Sequence, residues 1–280
     1  MAGQIATQAV ILARGLGTRM QRDDGTALPT EAKVAASAGA KGMMPVGPAG
    51  RPFLDYVLSA LGDAGIANIV LVVAPEHEAM RDHYSGAGAP SRLAISFAVQ
   101  PEPRGTADAV SAARKVVRDA PFLVLNSDNY YPVADLRAAA EIGACGLVAY
   151  EADSLARASG FDPQRVMRYA LLDIGADGTL RAIQEKPARD DPLVTAAERW
   201  VSMNLWSFTP VIFAACDRVR PSSRGELELQ DAVMIAIHEL GICFSAIRRR
   251  ARTGDGVLDL SQRADVGVVR DRLADVVPRL

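Results

Sequence analysis

Cysteine is scarce in this chain of 280 residues, and the three present, Cys145, Cys216 and Cys243, are odd in number and too far apart for a C-x-x-C site. That spacing suits a reducing compartment, where all three are expected to be buried packing residues. Long apolar runs are missing as well. None approaches the roughly 18 residues of a membrane span, and Met1-Ala2-Gly3-Gln4 has no basic n-region, so a cytoplasmic protein with no membrane partner is expected. Charge of one sign is also lacking: 31 Lys and Arg against 33 Asp and Glu leave a net charge of −2. No broad basic field is there to recruit nucleic acid or an anionic membrane, and any phosphate ligand must be held by a local pocket. Histidine is rare, and His77 and His83 stand six apart on different helix faces, unlike the i, i+4 pair of a helical zinc site. Internal repeats, low-complexity tails and Pro/Ser linkers are absent. A single domain over 1–280 is expected, with a nucleotide-binding half (1–130) and an acceptor-binding half (131–280), long enough for a core without staples.

What is present begins with the run Gln8-Ala9-Val10-Ile11-Leu12-Ala13, followed by Arg14-Gly15-Leu16-Gly17-Thr18-Arg19-Met20. A short apolar run emptying into two glycines reads as a buried strand feeding a tight loop. Without Cβ atoms, Gly15 and Gly17 can turn backbone N–H groups toward a phosphate, and Thr18 and Arg19 add polar and cationic partners. The spacing fits neither G-x-G-x-x-G nor G-x-x-x-x-G-K-[ST], so alone it is equally an ordinary strand-to-helix turn.

A long, poorly periodic connection over 21–52 contains Lys41-Gly42-Met43-Met44-Pro45-Val46, whose lysine can fold back over the glycine loop while the apolar residues anchor it. The spacing of Phe53, Tyr56, Val57, Ala60 and Leu61 predicts a helix ending near Gly62 or Gly65. A buried strand over 69–73, a helix over 76–84, a strand over 93–99, a helix over 106–117 and a strand over 122–125 then alternate. That order indicates an α/β fold with a mostly parallel sheet. Gln100 to Ala107 follows one strand and Asn126-Ser127-Asp128-Asn129 another; in open parallel sheets the carboxyl ends of strands face the ligand, so these loops and the glycine loop can share one crevice.

The second half reads as a mixed sheet, with strands over 146–150, 167–174, 180–184 and 201–208 and a hairpin turn at Asp177-Gly178. Glu185-Lys186-Pro187 closes the hairpin, a helix spans 229–240, and a strand over 242–247 precedes Arg248-Arg249-Arg250-Ala251-Arg252. By default those arginines form a surface or interface stripe, with no interleaved aromatics for nucleic-acid stacking. Val257-Leu258-Asp259 and a helix over 263–277 finish the chain.

Taken in order, these motifs resemble the sugar-phosphate nucleotidyltransferases, also called nucleoside-diphosphate-sugar pyrophosphorylases, over nearly the whole chain. The family's L-A-G-G-x-G-T-R-[LM] corresponds to Leu12 through Met20, its lysine before P-V to Lys41 with Pro45-Val46, and its Q-x-x-x-x-G-T-A to Gln100 through Ala107. Its G-D-N corresponds to Ser127-Asp128-Asn129, its E-K-P to Glu185-Lys186-Pro187, its R-G-E-L-E before T-D to Arg224 through Asp231, and its W-x-D with a later acid to Leu258-Asp259 and Asp265. Arg14 and Ser127 replace glycines, and Ser202-Met203-Asn204-Leu205-Trp206 stands where many members have N-x-G-x-Y.

The resemblance implies a Rossmann-like (GT-A type) open mixed sheet flanked by helices, with a smaller second sheet region. It implies a reaction in which a sugar 1-phosphate attacks the α-phosphorus of a nucleoside triphosphate and expels pyrophosphate. Catalytic roles then fall to Arg19, Lys41 and Lys186, and nucleotide binding to Leu12, Ala13, Gly15, Gly17, Thr18, Gln100, Gly105 and Thr106. Asn129, Glu185 and Asn204 are the substrate-binding candidates, with Mg²⁺ on Asp128 and Asp259. Asp259 follows an apolar run at a strand end, whereas Asp265 sits near a helix start, where a carboxylate often serves as a cap. A cytidylyltransferase acting on a non-sugar phosphate and a non-catalytic nucleotide-sugar sensor are the other readings. The nucleotide, the sugar and the oligomeric state stay open, a homo-oligomer among the options.

Overall fold

The computed structural model describes residues 4–15, 17, 20, 40–86, 89–185 and 190–280. The opening apolar run forms β1 (Gln8–Leu12), buried along its whole length. It lies parallel between β2 (Asn68–Val73) and β4 (Phe122–Asn126), and β2 in turn carries β3 (Ala94–Val99) in parallel. Parallel neighbours cannot be joined by a tight turn, so the chain must cross over between them. The crossovers carry α1 (Phe53–Asp63), α2 (Glu78–His83) and α3 (Thr106–Ala112).

After β4 come β5 (Asn129–Tyr130), α4 (Val133–Glu141), β6 (Gly146–Glu151), α5 (Ala152–Ser159) and α6 (Pro163–Val166). The hairpin β7 (Leu171–Ile174) and β8 (Leu180–Gln184) follows, then α7 (Pro192–Thr195), β9 (Trp200–Phe208), α8 (Ile212–Cys216) and α9 (Leu229–His238). The chain closes with β10 (Ser245–Arg249), β11 (Leu258–Asp259) and α10 (Asp265–Leu273). The central sheet has the order β10-β6-β9-β4-β1-β2-β3, and along that path β9 alone runs against its neighbours. The hairpin hangs on β9 through Leu171 and Val201, and β5 pairs with β11 in a separate two-stranded antiparallel sheet.

Strand alternation sends residues to two cores. Ala9, Ile11, Ile69, Leu71, Leu123 and Leu125 face a layer that includes Leu54 and Leu58 of α1 and Leu136 of α4. Val10, Val70, Val72 and Val124 face the opposite layer, with Val110 of α3, Phe213 of α8 and Val233 of α9. Each valine, leucine, isoleucine or phenylalanine side chain among them, taken fully out of water, contributes about 1.5–3 kcal/mol before chain entropy is set against it. The uninterrupted apolar runs therefore mark strands covered on both faces. Among the described residues no helix is long and apolar enough to cross a membrane.

Several expectations change. The strand predicted over 167–174 begins only at Leu171, because Asp162 caps α6 and Pro163 starts it, carrying a helical turn up to Val166. The strand predicted over 242–247 is displaced to Ser245–Arg249, so the arginine run is not a stripe but is divided by an edge strand. Arg248 lies over the Trp200 ring, Arg249 pairs with buried Asp135 at 2.6 Å, and Arg250 pairs with Glu198. Charged side chains on an edge strand also discourage further strand pairing. Cys145 and Cys216 are buried, as expected, but Cys243 is exposed in the loop before β10.

One glycine fixes how β3 leads into the cleft. Gly105 has φ of +118°, and a Cβ there would lie 2.4 Å from the carbonyl oxygen of Leu227. That proximity lets the segment before α9 clamp the loop: Leu227 N–H donates to Arg104 at 2.7 Å and Ala107 N–H donates to Leu227 at 2.9 Å. The Thr106 hydroxyl accepts from Leu229 N–H at 2.9 Å. Gly105→Ala is expected to cost about 2–5 kcal/mol, combining the disfavoured φ with a backbone overlap. A thermal melt within a degree of the wild-type midpoint would contradict this.

Candidate active site

Four parallel strands, β4, β1, β2 and β3, end side by side, and backbone hydrogen bonds join their exits. Ala13 N–H donates to Val72 at 2.9 Å, Ser127 N–H to Leu12 at 3.1 Å, and Gln100 N–H to Val73 at 2.9 Å. The loops that follow open into one cleft of about 560 Å³, a size typical of small-ligand sites. Leu12, Gly15, Gly17, Gln100, Gly105 and Thr106 line it on the side of the parallel strands. Asn129, Glu185, Asn204, Lys41, Asp128 and Asp259 line it as well. Ala13 is held in the core instead, 2% exposed. Thr18, Arg19 and Lys186 lie outside the described residues.

The two loop glycines differ in what requires them. Gly17 has φ of +63°, a left-handed turn that suits glycine. At Gly15 a Cβ would meet no protein atom within 4 Å, so packing does not demand glycine there. Its bare backbone leaves room in the cleft for a ligand to approach.

Lys41 sits on a single 3₁₀ turn, Lys41–Met43, that is anchored by the fully buried Met44 and by Val46. Its ammonium reaches Asp128 at 2.8 Å. Asp259 arrives from the far end of the chain but is stitched to the same place. β11 pairs Asp259 with Asn129, and Leu260 N–H donates to the Asp128 carbonyl at 2.8 Å. Burial pushes the Asp259 carboxyl above the ordinary carboxylate range, and the neighbouring charge of Asp128 pushes it further. Arg165 opposes that push from 2.7 Å, with the Tyr169 hydroxyl donating at 3.3 Å and the Ser261 hydroxyl on the other oxygen.

Asp265 does different work. It accepts from Ser261 N–H at 3.0 Å and Gln262 N–H at 2.9 Å, and its carboxylate holds Arg165 at 2.5 Å. Arg165 therefore bridges the two acids, its guanidinium packed over the Phe161 ring at 5.0 Å. Among the described residues no group of three or more acidic, histidine or cysteine side chains could hold a metal ion. A divalent cation here would rest on Asp128 and Asp259 and on oxygens of its ligand. Two carboxylates whose repulsion raises the proton affinity of one of them form a fitting donor set for a hard dication.

Arg14, Arg224 and Gln230 line the cleft without an assigned role in the sequence, and Arg165 stands beside it against Asp259. Arg14, at a glycine position of the resembled pattern, is 7% exposed and donates to the Gln100 and Pro101 carbonyls at 3.4 and 3.3 Å. Arg224 stands 2.6 Å from Glu228 and 3.6 Å from Glu185. Gln230 donates to Asn204 at 3.5 Å. Arg165 lies on α6, which the Asp162-Pro163 capping signal could have revealed. Asn204 also explains its own departure. It has φ of +60° beside an irregularity in the β6–β9 register, and asparagine is among the few non-glycine residues that tolerate that region.

The model of the family described as nucleotidyl transferase matches residues 30–268. The chain is similar to UTP–glucose-1-phosphate uridylyltransferase AglF of Haloferax volcanii, 30% identical over 269 residues that cover 95% of this chain and 93% of that one. It is also similar to a glucose-1-phosphate thymidylyltransferase of Neisseria meningitidis, 28% identical over 80% of this chain and 69% of that one. In fold it matches a UDP-glucose pyrophosphorylase solved with UDP-glucose, with a TM-score of 0.71 over 95% of this chain and 98% of that one at 15% identity. With the ordered motifs gathered on one cleft and a family model that spans most of the sequence, the chain belongs to the nucleotidyl transferase family.

Proposed function

We propose that the cleft joins a nucleoside triphosphate to a sugar 1-phosphate, giving a nucleoside-diphosphate sugar and pyrophosphate, with Mg²⁺ held by Asp128 and Asp259. The observation that carries this is the meeting of a bare glycine loop, Lys41 and two carboxylates at the carboxyl ends of parallel strands. The attacking group is a phosphate oxygen, already an anion, so the chemistry needs no protein nucleophile. An acceptor phosphate oxygen forms a bond to the α-phosphorus while the bond to the bridging oxygen breaks and pyrophosphate carries the electron pair away. The protein must bring two anions together and neutralise them.

Gly15 and Gly17 offer a close backbone approach for the triphosphate, and Lys41, held by Asp128, is placed to meet its charge. Arg168 and Arg224 also line the cleft, Arg224 3.6 Å from Glu185, and can receive the acceptor phosphate while Glu185 and Asn204 take sugar hydroxyls. Arg19 and Lys186, named from the motifs, would add cations on the two sides. The bound Mg²⁺ would supply further charge neutralisation on the phosphates.

Pyrophosphate release is expected only when a nucleoside triphosphate, a sugar 1-phosphate and Mg²⁺ are all present, and a coupled phosphate assay reads it directly. Release that persists in a chelator, or without the acceptor, would sink the proposal. The two acids at the chain's end separate metal binding from architecture. Asp259→Asn should lower Mg²⁺-dependent turnover by roughly 10²-fold or more, as expected when charge stabilisation at the reacting phosphates is lost. Its melting temperature should change little, because a carboxylate penalised by burial and by Asp128 is removed. Asp265→Asn should instead cost about 1–3 kcal/mol of stability through its weakened hold on Arg165 and the 261–262 turn. Assayed below its melting point it should keep turnover within severalfold. Turnover lost in Asp265→Asn but kept in Asp259→Asn would reverse the assignment.

A further inference from the structure

Arg165 belongs to none of the motifs read from the sequence, yet the fold seats it against Asp259. Its Nη1 donates to Asp265 Oδ1 at 2.5 Å and its Nη2 to Asp265 Oδ2 at 3.1 Å, a forked pair that leaves one Nη2 hydrogen for Asp259 Oδ2 at 2.7 Å. The guanidinium is packed over the Phe161 ring, and Asp265 is itself held by the N–H groups of Ser261 and Gln262. Those two residues belong to the turn that leaves β11, so a ring of contacts runs from Asp259 through Arg165 and Asp265 back to the same short segment. The ring uses most of what Asp259 can give. An ionised carboxylate has about four lone-pair positions, and Arg165, the Tyr169 hydroxyl and the Ser261 hydroxyl take three of them. Charge is matched as well: Lys41 lies on Asp128 at 2.8 Å, so each acid of the cleft already has a built-in cation.

We infer that Arg165 is a positioning residue that fixes Asp259 and, by supplying a positive charge of its own, keeps the ligand-free acid pair closed to a lone divalent cation. The inference rests on the reading of Asp128 and Asp259 as the metal acids, and deepens it by naming the form in which the cation arrives. A bare dication would enter beside Arg165 and compete with it for the same carboxylate. Arg165 cannot be expelled without giving up Asp265 and the Phe161 ring as well. One fixed positive charge within a few ångströms of that seat costs a dication roughly tenfold or more in affinity even with strong screening. A cation carried by a triphosphate brings negative charge that offsets Arg165, and it can still use the lone-pair position that Asp259 has left toward the cleft.

The test titrates Mn²⁺ into the whole chain, without nucleotide or acceptor, and follows the loss of the free ion's electron paramagnetic resonance signal. Arg165→Gln keeps a hydrogen-bond donor between the two acids but removes the charge, and it is expected to bind Mn²⁺ at least roughly tenfold more tightly than the wild type. Arg165→Lys restores the charge and should restore the weak binding of the wild type, a rescue that a merely structural role for the arginine does not give. Asp259→Asn added to Arg165→Gln should abolish the gain. A wild type that binds Mn²⁺ as tightly as Arg165→Gln overturns the inference, and so does an Arg165→Lys that binds as tightly as Arg165→Gln; in both cases Mg²⁺-dependent pyrophosphate release is untouched and only the role of Arg165 falls. A gain that survives Asp259→Asn removes Asp259 from the metal site, and with it the metal reading of the cleft. If Arg165→Gln is poorly folded, thermal melts decide: Mg²⁺ alone should raise its melting temperature more than that of the wild type, and equal shifts overturn the inference.

Discussion

Two acidic side chains are held in one crevice, and much of the surrounding architecture answers the cost of holding them there. Asp128 arrives at the end of a central parallel strand and Asp259 comes from a two-residue strand more than a hundred positions later, joined by the β5–β11 pairing and by the hydrogen bond from Leu260 to Asp128. Left alone, the buried Asp259 carboxylate would be repelled by the half-buried Asp128 and its proton affinity would rise. Lys41 on one side and Arg165 on the other offset part of that repulsion, and Asp265 in turn orients Arg165. The two acids are thereby fixed in place before any ligand binds, which is the condition for electrostatic stabilisation without rearrangement.

The sheet makes that arrangement rigid. β1 is buried on both faces and paired on both edges, so its exit cannot move without disturbing β2 and β4 together. Binding groups sit on loops, but the loops leave from strand ends whose positions are set by packing on two sides. β9, running against its neighbours, fastens the second half of the chain to the first and carries Asn204 to the cleft wall. Its left-handed asparagine places an amide where the resembled pattern has a bare glycine, and that amide accepts a hydrogen bond from Gln230.

The apolar runs of β1, β2 and β4 could be read from the sequence because burial on both faces leaves no polar positions to confuse the period. The hairpin at Asp177-Gly178 was equally plain, since Gly178 takes the positive φ that such a turn needs. Short elements were harder. α6 is one turn long, too brief for any periodicity, and the residues just after it, 167–170, read as the start of a strand that begins only at Leu171. The arginine run looked like a surface stripe because the sequence does not reveal that β10 pairs with β6 and that Arg249 meets a buried acid contributed by α4.

By itself the sequence determined the class of fold, the alternation that builds the parallel sheet and the order of the motifs, because these depend on local preference and on which residues must leave water. It also marked Asp128 and Asp259 as acids at strand ends, a property of short neighbouring segments. Only the tertiary structure decided which charges meet. Arg165 lies 94 positions from Asp259, and Arg14 lies 86 from Gln100. Asp108 lies only eight positions on from Gln100, yet their contact too depends on the turn at Gly105, packed against Leu227. Contacts of that range are set by how the sheet twists and how its crossovers pack, and no pattern along the chain encodes the distance between two side chains that the fold alone brings together.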